Sequence, residues 1–143
     1  QVAGLLERNG QADVASLYWP IAEAAEARDP NVVKVVTDRH GHALYFSRSE
    51  IPHARDATAI AGHRHGGCPW KRHIGLYAYR AGALRAFAAM GPSPLEVMEH
   101  LEQLRFLESG HCIVMAEASD FIPAGVDTPE DLERVCRLIE SGG

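Results

Sequence analysis

The sequence predicts an α/β unit, a mixed sheet with helices packed on it, and three observations carry that prediction. Amphipathic helical stretches alternate with short apolar, β-prone runs along most of the 143 residues. Two of those runs, residues 32–36 and 42–46, are separated by Asp38-Arg39-His40-Gly41, which is turn chemistry, so a β-hairpin interrupts the alternation. Finally, Ser93-Pro94-Leu95-Glu96 and Thr128-Pro129-Glu130-Asp131 both place a hydroxyl cap before a first-turn proline and an acidic residue, the grammar of a helix start.

The elements follow in order. Val2, Leu5 and Leu6 have helical spacing, so residues 1–9 are a short helix with Gly10 at its C-terminal cap. Residues 13–19 form a strand running into Pro20, and 21–28 a short alanine- and glutamate-rich helix. Asp29-Pro30-Asn31 turns the chain into the hairpin strands. Residues 58–70 hold three glycines and a proline without periodicity, which predicts an exposed, flexible loop. A strand at 73–79 leads to a helix at 81–90 with Leu84 and Phe87 on one side. The helix begun at Ser93 carries a stripe of Val97, Met98, Leu101, Leu104 and Leu107 and stops at Gly110. Residues 111–117 are a strand and 119–125 a loop. In the last helix Leu132, Val135, Cys136 and Ile139 recur at i, i+3, i+4, i+7.

Length and composition fit one domain spanning residues 1–143, with 46% hydrophobic and 23% charged residues. A formal net charge of −5 excludes a broad nucleic-acid or anionic-membrane surface, so any anion site is a local pocket of arginine and lysine. Cys68, Cys112 and Cys136 are odd in number, widely spaced and without a C-x-x-C pair. They suit a reducing compartment, with Cys112 and Cys136 as core residues. No apolar run approaches bilayer length and no signal-peptide pattern opens the chain, which predicts a cytoplasmic location. The chain begins without methionine, as though already inside a helix, and is expected to be part of a longer or processed protein.

Four groups of residues carry candidate chemistry. In the first, the apolar run Tyr45-Phe46 ends at Arg48 and delivers Arg55 seven positions later, past Ile51-Pro52. Two guanidinium forks at a strand end can meet one carboxylate or phosphate from two directions, although two solvated arginines are the plainer reading. In the second, His73, Tyr77 and Tyr79 share a strand face with Gly75, a hydrogen-bonding wall for a polyhydroxylated ligand with room for close approach. The same residues also suit a face packed under a helix. The third, Glu102-Gln103, lies at the polar edge of a helix stripe. Its carboxylate and amide can accept hydrogen bonds from sugar hydroxyls, or simply be solvated. The fourth is Asp127, just before a helix cap, placed to hold Mg²⁺ with substrate phosphates or to complement a helix dipole. His63, His65 and Cys68, with His53 upstream, carry metal-ligating side chains, but H-x-H-x-x-C matches no strong zinc pattern.

In order along the chain, several segments resemble the 3-deoxy-manno-octulosonate (KDO) cytidylyltransferase family. They are Pro30-Asn31-Val32-Val33-Lys34-Val35-Val36, Ala43-Leu44-Tyr45-Phe46-Ser47-Arg48, Ile51-Pro52 and Arg55-Asp56. Further on come Arg72-His73-Ile74-Gly75-Leu76-Tyr77-Ala78-Tyr79-Arg80, Pro92-Ser93-Pro94-Leu95-Glu96 and Leu101-Glu102-Gln103-Leu104-Arg105. Gly125-Val126-Asp127-Thr128-Pro129-Glu130-Asp131-Leu132 completes the set. The resemblance implies the C-terminal portion of a nucleotide-diphospho-sugar transferase-like, Rossmann-like fold with an inserted hairpin. It implies a reaction in which CTP and KDO give CMP-KDO and pyrophosphate for lipopolysaccharide biosynthesis. On the same basis Arg48 and Arg55 engage the sugar acid, and His73, Tyr77, Glu102 and Gln103 line its pocket. Asp127 is implied as one of two aspartates holding Mg²⁺, and the hairpin-bearing half contributes to a homodimer.

The family's N-terminal CTP-binding loop and its Gln-Gly-Asp-Glu-Pro metal segment do not occur in these residues. On its own, therefore, the chain is expected neither to bind CTP productively nor to turn over. Two alternatives stay open: a non-catalytic sugar-acid-binding or dimerising module, and a cytidylyltransferase for another acidic sugar such as a sialic acid.

Overall fold

A computed structural model describes residues 1–55, 70–122 and 136–137 of the chain. A mixed five-stranded sheet dominates it. In chain order the elements are α1 (Val2–Arg8), β1 (Val14–Pro20), α2 (Ala24–Arg28), β2 (Lys34–Thr37) and β3 (Ala43–Ser47), then β4 (Lys71–Tyr79), α3 (Ala81–Ala89), α4 (Pro94–Glu99), α5 (Gln103–Glu108) and β5 (Ile113–Glu117). The strand order is β3-β2-β4-β1-β5. β1 runs parallel to β5 and antiparallel to β4, and β2 is antiparallel to both β3 and β4. The α/β expectation, with its hairpin, therefore holds.

Local chemistry explains the hairpin and where its tip lies. Asp38 accepts from the backbone N–H groups of His40 and His42, both at 2.8 Å, which closes the turn. Gly41 has φ +85°, open to glycine and costly for other residues. Its carbonyl accepts from the Met115 N–H at 2.8 Å, and a Cβ there would stand 3.1 Å from the Met115 carbonyl oxygen. With the His42–Val114 bridge, these contacts fold the hairpin tip back onto β5, so the sheet curls over its own core. Val14, Val35, Phe46, Leu104, Phe106 and Ile113 fill that core.

Two cationic side chains pin the framework through backbone carbonyls. Arg80 follows β4 and donates to the carbonyls of Leu6, Asn9 and Ala12 at 2.7–3.1 Å, satisfying acceptors at the end of α1. The glycine cap expected at Gly10 is replaced by Asn9 as the cap residue. Lys34, inside the β-branched run of β2, is 0% exposed. Its ammonium donates to the carbonyls of Asp29, Val32 and Arg48 at 2.5–2.7 Å, joining the turn before β2 to the residue that follows β3.

Several expectations change. The single helix from Ser93 to Gly110 is two helices, because His100 adopts the left-handed conformation (φ 54°, ψ 48°) and redirects the chain. That break shifts the buried register. Val97 and Met98 are exposed, while Leu101, Leu104 and Phe106 are buried. In α3 it is Ala83 that is buried and Leu84 that is exposed, with Phe87 packed against the core. Trp70, expected at the end of a loop, is fully buried, and its indole donates to the Pro52 carbonyl at 2.9 Å. The rest of the expected loop, to residue 69, lies outside the described residues, as does the start of the last helix. Cys112 is half-buried, and Cys136, expected in the core, is exposed.

Replacing Lys34 by methionine keeps side-chain bulk but removes three hydrogen bonds to carbonyls that have left water. The expected loss is at least about 2 kcal/mol of unfolding free energy, measured by urea denaturation.

Candidate functional site

β4 builds one wall of the site. His73, Tyr77 and Tyr79 lie ring against ring, with centroids 5.4 and 5.5 Å apart, so the expected aromatic face exists. The register against β1 explains how residues 73 and 77 come together. Leu17 pairs with Ile74 and Ala15 with Ala78, so Ser16 alone opposes Gly75-Leu76-Tyr77 and β4 bulges there. Gly75 is exposed on that bulge with open space where a Cβ would be, so close approach of another backbone is not what its size serves among the described residues.

Burial governs the electrostatics of this wall. It pushes the His73 imidazole down to about 4, so the ring is neutral at physiological pH. It raises the Tyr77 hydroxyl, with Tyr79 and Glu102 adding to the shift, and it raises Tyr79 with help from Glu102. Both phenols are therefore protonated hydrogen-bonding groups.

The opposite wall is the α4–α5 junction. The left-handed His100 turns the chain so that Leu101 is buried and Glu102 and Gln103 open α5. A cavity of about 270 Å³ lies between the walls. Tyr77, Tyr79, His100, Glu102 and Gln103 give it polar groups, and Phe87 and Phe106 give it stacked rings with centroids 4.6 Å apart. Glu102 is exposed, whereas Gln103 is buried. An aromatic surface beside convergent hydroxyl, amide and carboxylate groups suits a sugar.

Two glutamates, one ion-paired and one held by hydrogen bonds, fix the junction. Arg105 on α5 grips Glu96 on α4 with two nitrogens and lies over the Phe87 ring at 4.2 Å, tying α3, α4 and α5 together. Glu96 also accepts from the Ser93 N–H at 3.0 Å, the arm of the capping box legible in the sequence. At the end of α4, Glu99 receives the Ser47 hydroxyl at 2.6 Å and the Arg48 N–H at 2.9 Å, and the Tyr45 hydroxyl lies at 3.4 Å. Burial raises the Glu99 carboxyl, but the Arg48 amide, the Ser47 and Tyr45 hydroxyls and the Arg48 charge outweigh it. The net pKa lies below the ordinary glutamate value.

The structure brings Tyr77, Glu102 and Gln103 to one cavity and sets His73 behind the Tyr77 ring. Arg48 is bound to the same junction. Its Nε donates to the Glu99 carbonyl at 2.9 Å and its Nη1 to the Pro30 carbonyl at 3.1 Å. Arg55 is exposed and does not line the cavity. Asp127 lies outside the described residues. Among the described residues no three His, Cys, Asp or Glu side chains cluster to hold a metal ion. A larger groove of about 520 Å³, between the end of α1 and the hairpin tip, includes Arg8, His40 and His42 but none of the expected site residues.

Lys34, Ser16, Glu99 and His100 were not singled out from sequence. Lys34 had a signal, a lone lysine in a β-branched run. The other three act through contacts or backbone conformations that their neighbours in sequence do not announce.

The fold and this two-walled site define a class: a family model described as cytidylyltransferase matches residues 1–117, and the chain belongs to the cytidylyltransferase family. It is similar to the 3-deoxy-manno-octulosonate cytidylyltransferase of Xanthomonas campestris pv. campestris (strain B100), 53% identical over 136 residues, 93% of this chain and 47% of the relative. Against the enzyme of the same name from Pseudomonas fluorescens (strain SBW25) identity is 54% over 140 residues, 97% of this chain and 55% of that one. A solved structure of CMP:2-keto-3-deoxy-manno-octonic acid synthetase complexed with CTP matches with a TM-score of 0.81 at 37% identity, covering 97% of this chain and 54% of that one. The nucleotide-diphospho-sugar transferase-like fold implied by the sequence is thus the fold observed. The chain spans about half the length of the relatives it matches.

Glu99 gives the site a pH signature. Its folded pKa is depressed, so its stabilisation is complete above the ordinary value of 4.5 and is lost as pH falls through the lower folded value. Glu99→Gln is expected to be less stable than the parent at neutral pH, with the gap closing as the medium is acidified, measured by urea unfolding between about pH 3 and pH 7.

Proposed function

We propose that the protein transfers CMP from CTP to KDO, giving CMP-KDO and pyrophosphate for lipopolysaccharide biosynthesis, and that these residues are its sugar-acid half. The observation that carries this reading is the cavity between β4 and the α4–α5 junction, where Tyr77, Glu102 and Gln103 converge beside stacked aromatic rings. The identity of about half its residues with KDO cytidylyltransferases supports KDO as the substrate.

In the reaction the sugar's anomeric hydroxyl attacks the α-phosphorus of CTP. A phosphorus–oxygen bond forms to the sugar, the α–β bridge bond breaks, and pyrophosphate leaves while the hydroxyl proton is released. Arg48 and Arg55 attract the sugar carboxylate, and Tyr77, Glu102 and Gln103 orient the hydroxyls in the cavity, beside the neutral His73. The contribution of these groups is positioning and electrostatics. Asp127 would help to hold Mg²⁺, which neutralises phosphate charge when bound.

The working form is a cytoplasmic homodimer in this proposal. Leu44 on β3 and Val97 and Met98 on α4 expose apolar surface on the hairpin-bearing half, which supports pairing with a second copy.

Pyrophosphate release with CTP, Mg²⁺ and KDO tests the reaction, and binding of KDO alone, followed by calorimetry, tests the half represented here. The isolated chain is expected to bind KDO without turnover. A sialic acid bound more tightly than KDO would replace the substrate, and no binding of either would remove the sugar-acid reading. Gln103→Leu, nearly constant in volume, is expected to weaken KDO binding roughly tenfold by deleting a cavity-facing amide. Arg48→Ala is expected to weaken it further, and unchanged affinity would remove Arg48 from the clamp.

A further inference from the structure

Ser16 lies mid-strand in β1, fully buried, opposite the bulge that brings His73 toward Tyr77. Its hydroxyl oxygen is 3.0 Å from the Ile74 carbonyl oxygen and 3.0 Å from His73 Nε2. A serine has one proton and a carbonyl only accepts. Both contacts are favourable in one arrangement alone: Ser16 donates to Ile74, and Nε2–H of His73 donates to Ser16. The reverse would turn two oxygen lone-pair sets toward each other in a site closed to water, an expensive alternative.

Other contacts restrict the ring as well. Phe46 packs against it edge-on at 5.0 Å and Tyr77 covers it at 5.4 Å. A neutral imidazole carries a single proton, so a proton held on Nε2 leaves Nδ1 bare. Among the described residues nothing hydrogen-bonds Nδ1.

We infer that Ser16 is a positioning residue that holds His73 as the neutral tautomer protonated on Nε2, with Nδ1 bare, and that the ring so ordered backs the Tyr77 wall against which the ligand binds. The ligand half of this inference rests on the sugar-acid reading of the neighbouring cavity. The tautomer half does not.

Long-range ¹H–¹⁵N correlation on histidine-labelled protein at neutral pH reads the tautomer directly. The expected spectrum has His73 Nε2 in the protonated range and Nδ1 in the unprotonated range, and Ser16→Ala mixes the two forms. A parent protein with Nδ1 protonated, or already mixed, overturns the proposal whether or not the variant folds. KDO binding is then measured for Ser16→Ala in the parent and in a His73→Asn background. Ser16→Ala is expected to weaken binding about fivefold in the parent and to add nothing in His73→Asn. An equal loss in both backgrounds would make Ser16 a framework residue and overturn its action through His73. If the tautomer is as stated and the parent binds no KDO, the sugar-acid reading falls and the tautomer assignment stands.

Discussion

The cavity side of this chain depends on one buried ammonium group. Lys34 holds the Arg48 carbonyl in place together with the carbonyls of Asp29 and Val32. Arg48, so fixed, offers its N–H to Glu99, which also receives Ser47 and thereby joins the end of β3 to the end of α4. The next residue, His100, is left-handed, and that single backbone conformation aims Glu102 and Gln103 at β4. Burying a lysine is costly, and desolvation lowers its pKa accordingly, offset in part by Asp29. Three short hydrogen bonds to backbone oxygens answer that cost. The cavity is the last link in a series that starts inside the hairpin.

Cations bound to carbonyl groups recur across the molecule. Arg80 gathers three carbonyls at the end of α1, and Arg72 bridges Glu26 and the Ile122 carbonyl. A chain of net charge −5 thus spends several cations on its own backbone. Positive charge near the candidate site comes from Arg48, fixed at the junction beside the cavity, and not from a basic surface. That is why composition could exclude a nucleic-acid surface without speaking against a pocket for an acidic sugar.

Patterns that depend on near neighbours were readable in the sequence. The hairpin followed from Asp38 to Gly41, the start of α4 from Ser93 and Glu96, and the end of α5 from Gly110, which has φ +81°. The aromatic face of β4 followed from a period of two. What failed depended on distant partners. Helical periodicity assigned Val97 and Met98 to the core because it cannot see the reversal at His100, which sets a new register for Leu104 and Phe106. The same limit hid Glu99, whose partners lie some fifty positions earlier, and the bulge in β4, which is a property of its pairing with β1. Motif resemblance recovered Tyr77, Glu102 and Gln103 as companions, although nothing in their spacing places a strand residue beside the start of a helix.

The two arginines at the hairpin's end differ in how much side-chain freedom folding has already removed. Arg48 already has Nε and Nη1 committed to carbonyls, so its long side chain is immobilised before any ligand arrives. The entropy of ordering it is lost during folding and not again on association. The same commitment occupies two of the five guanidinium N–H donors, leaving one on Nη1 and both on Nη2 for an incoming acceptor. Arg55 is exposed and keeps its whole fork. Arg48 is therefore set in place by folding, whereas Arg55 gives up side-chain freedom only when it makes a contact.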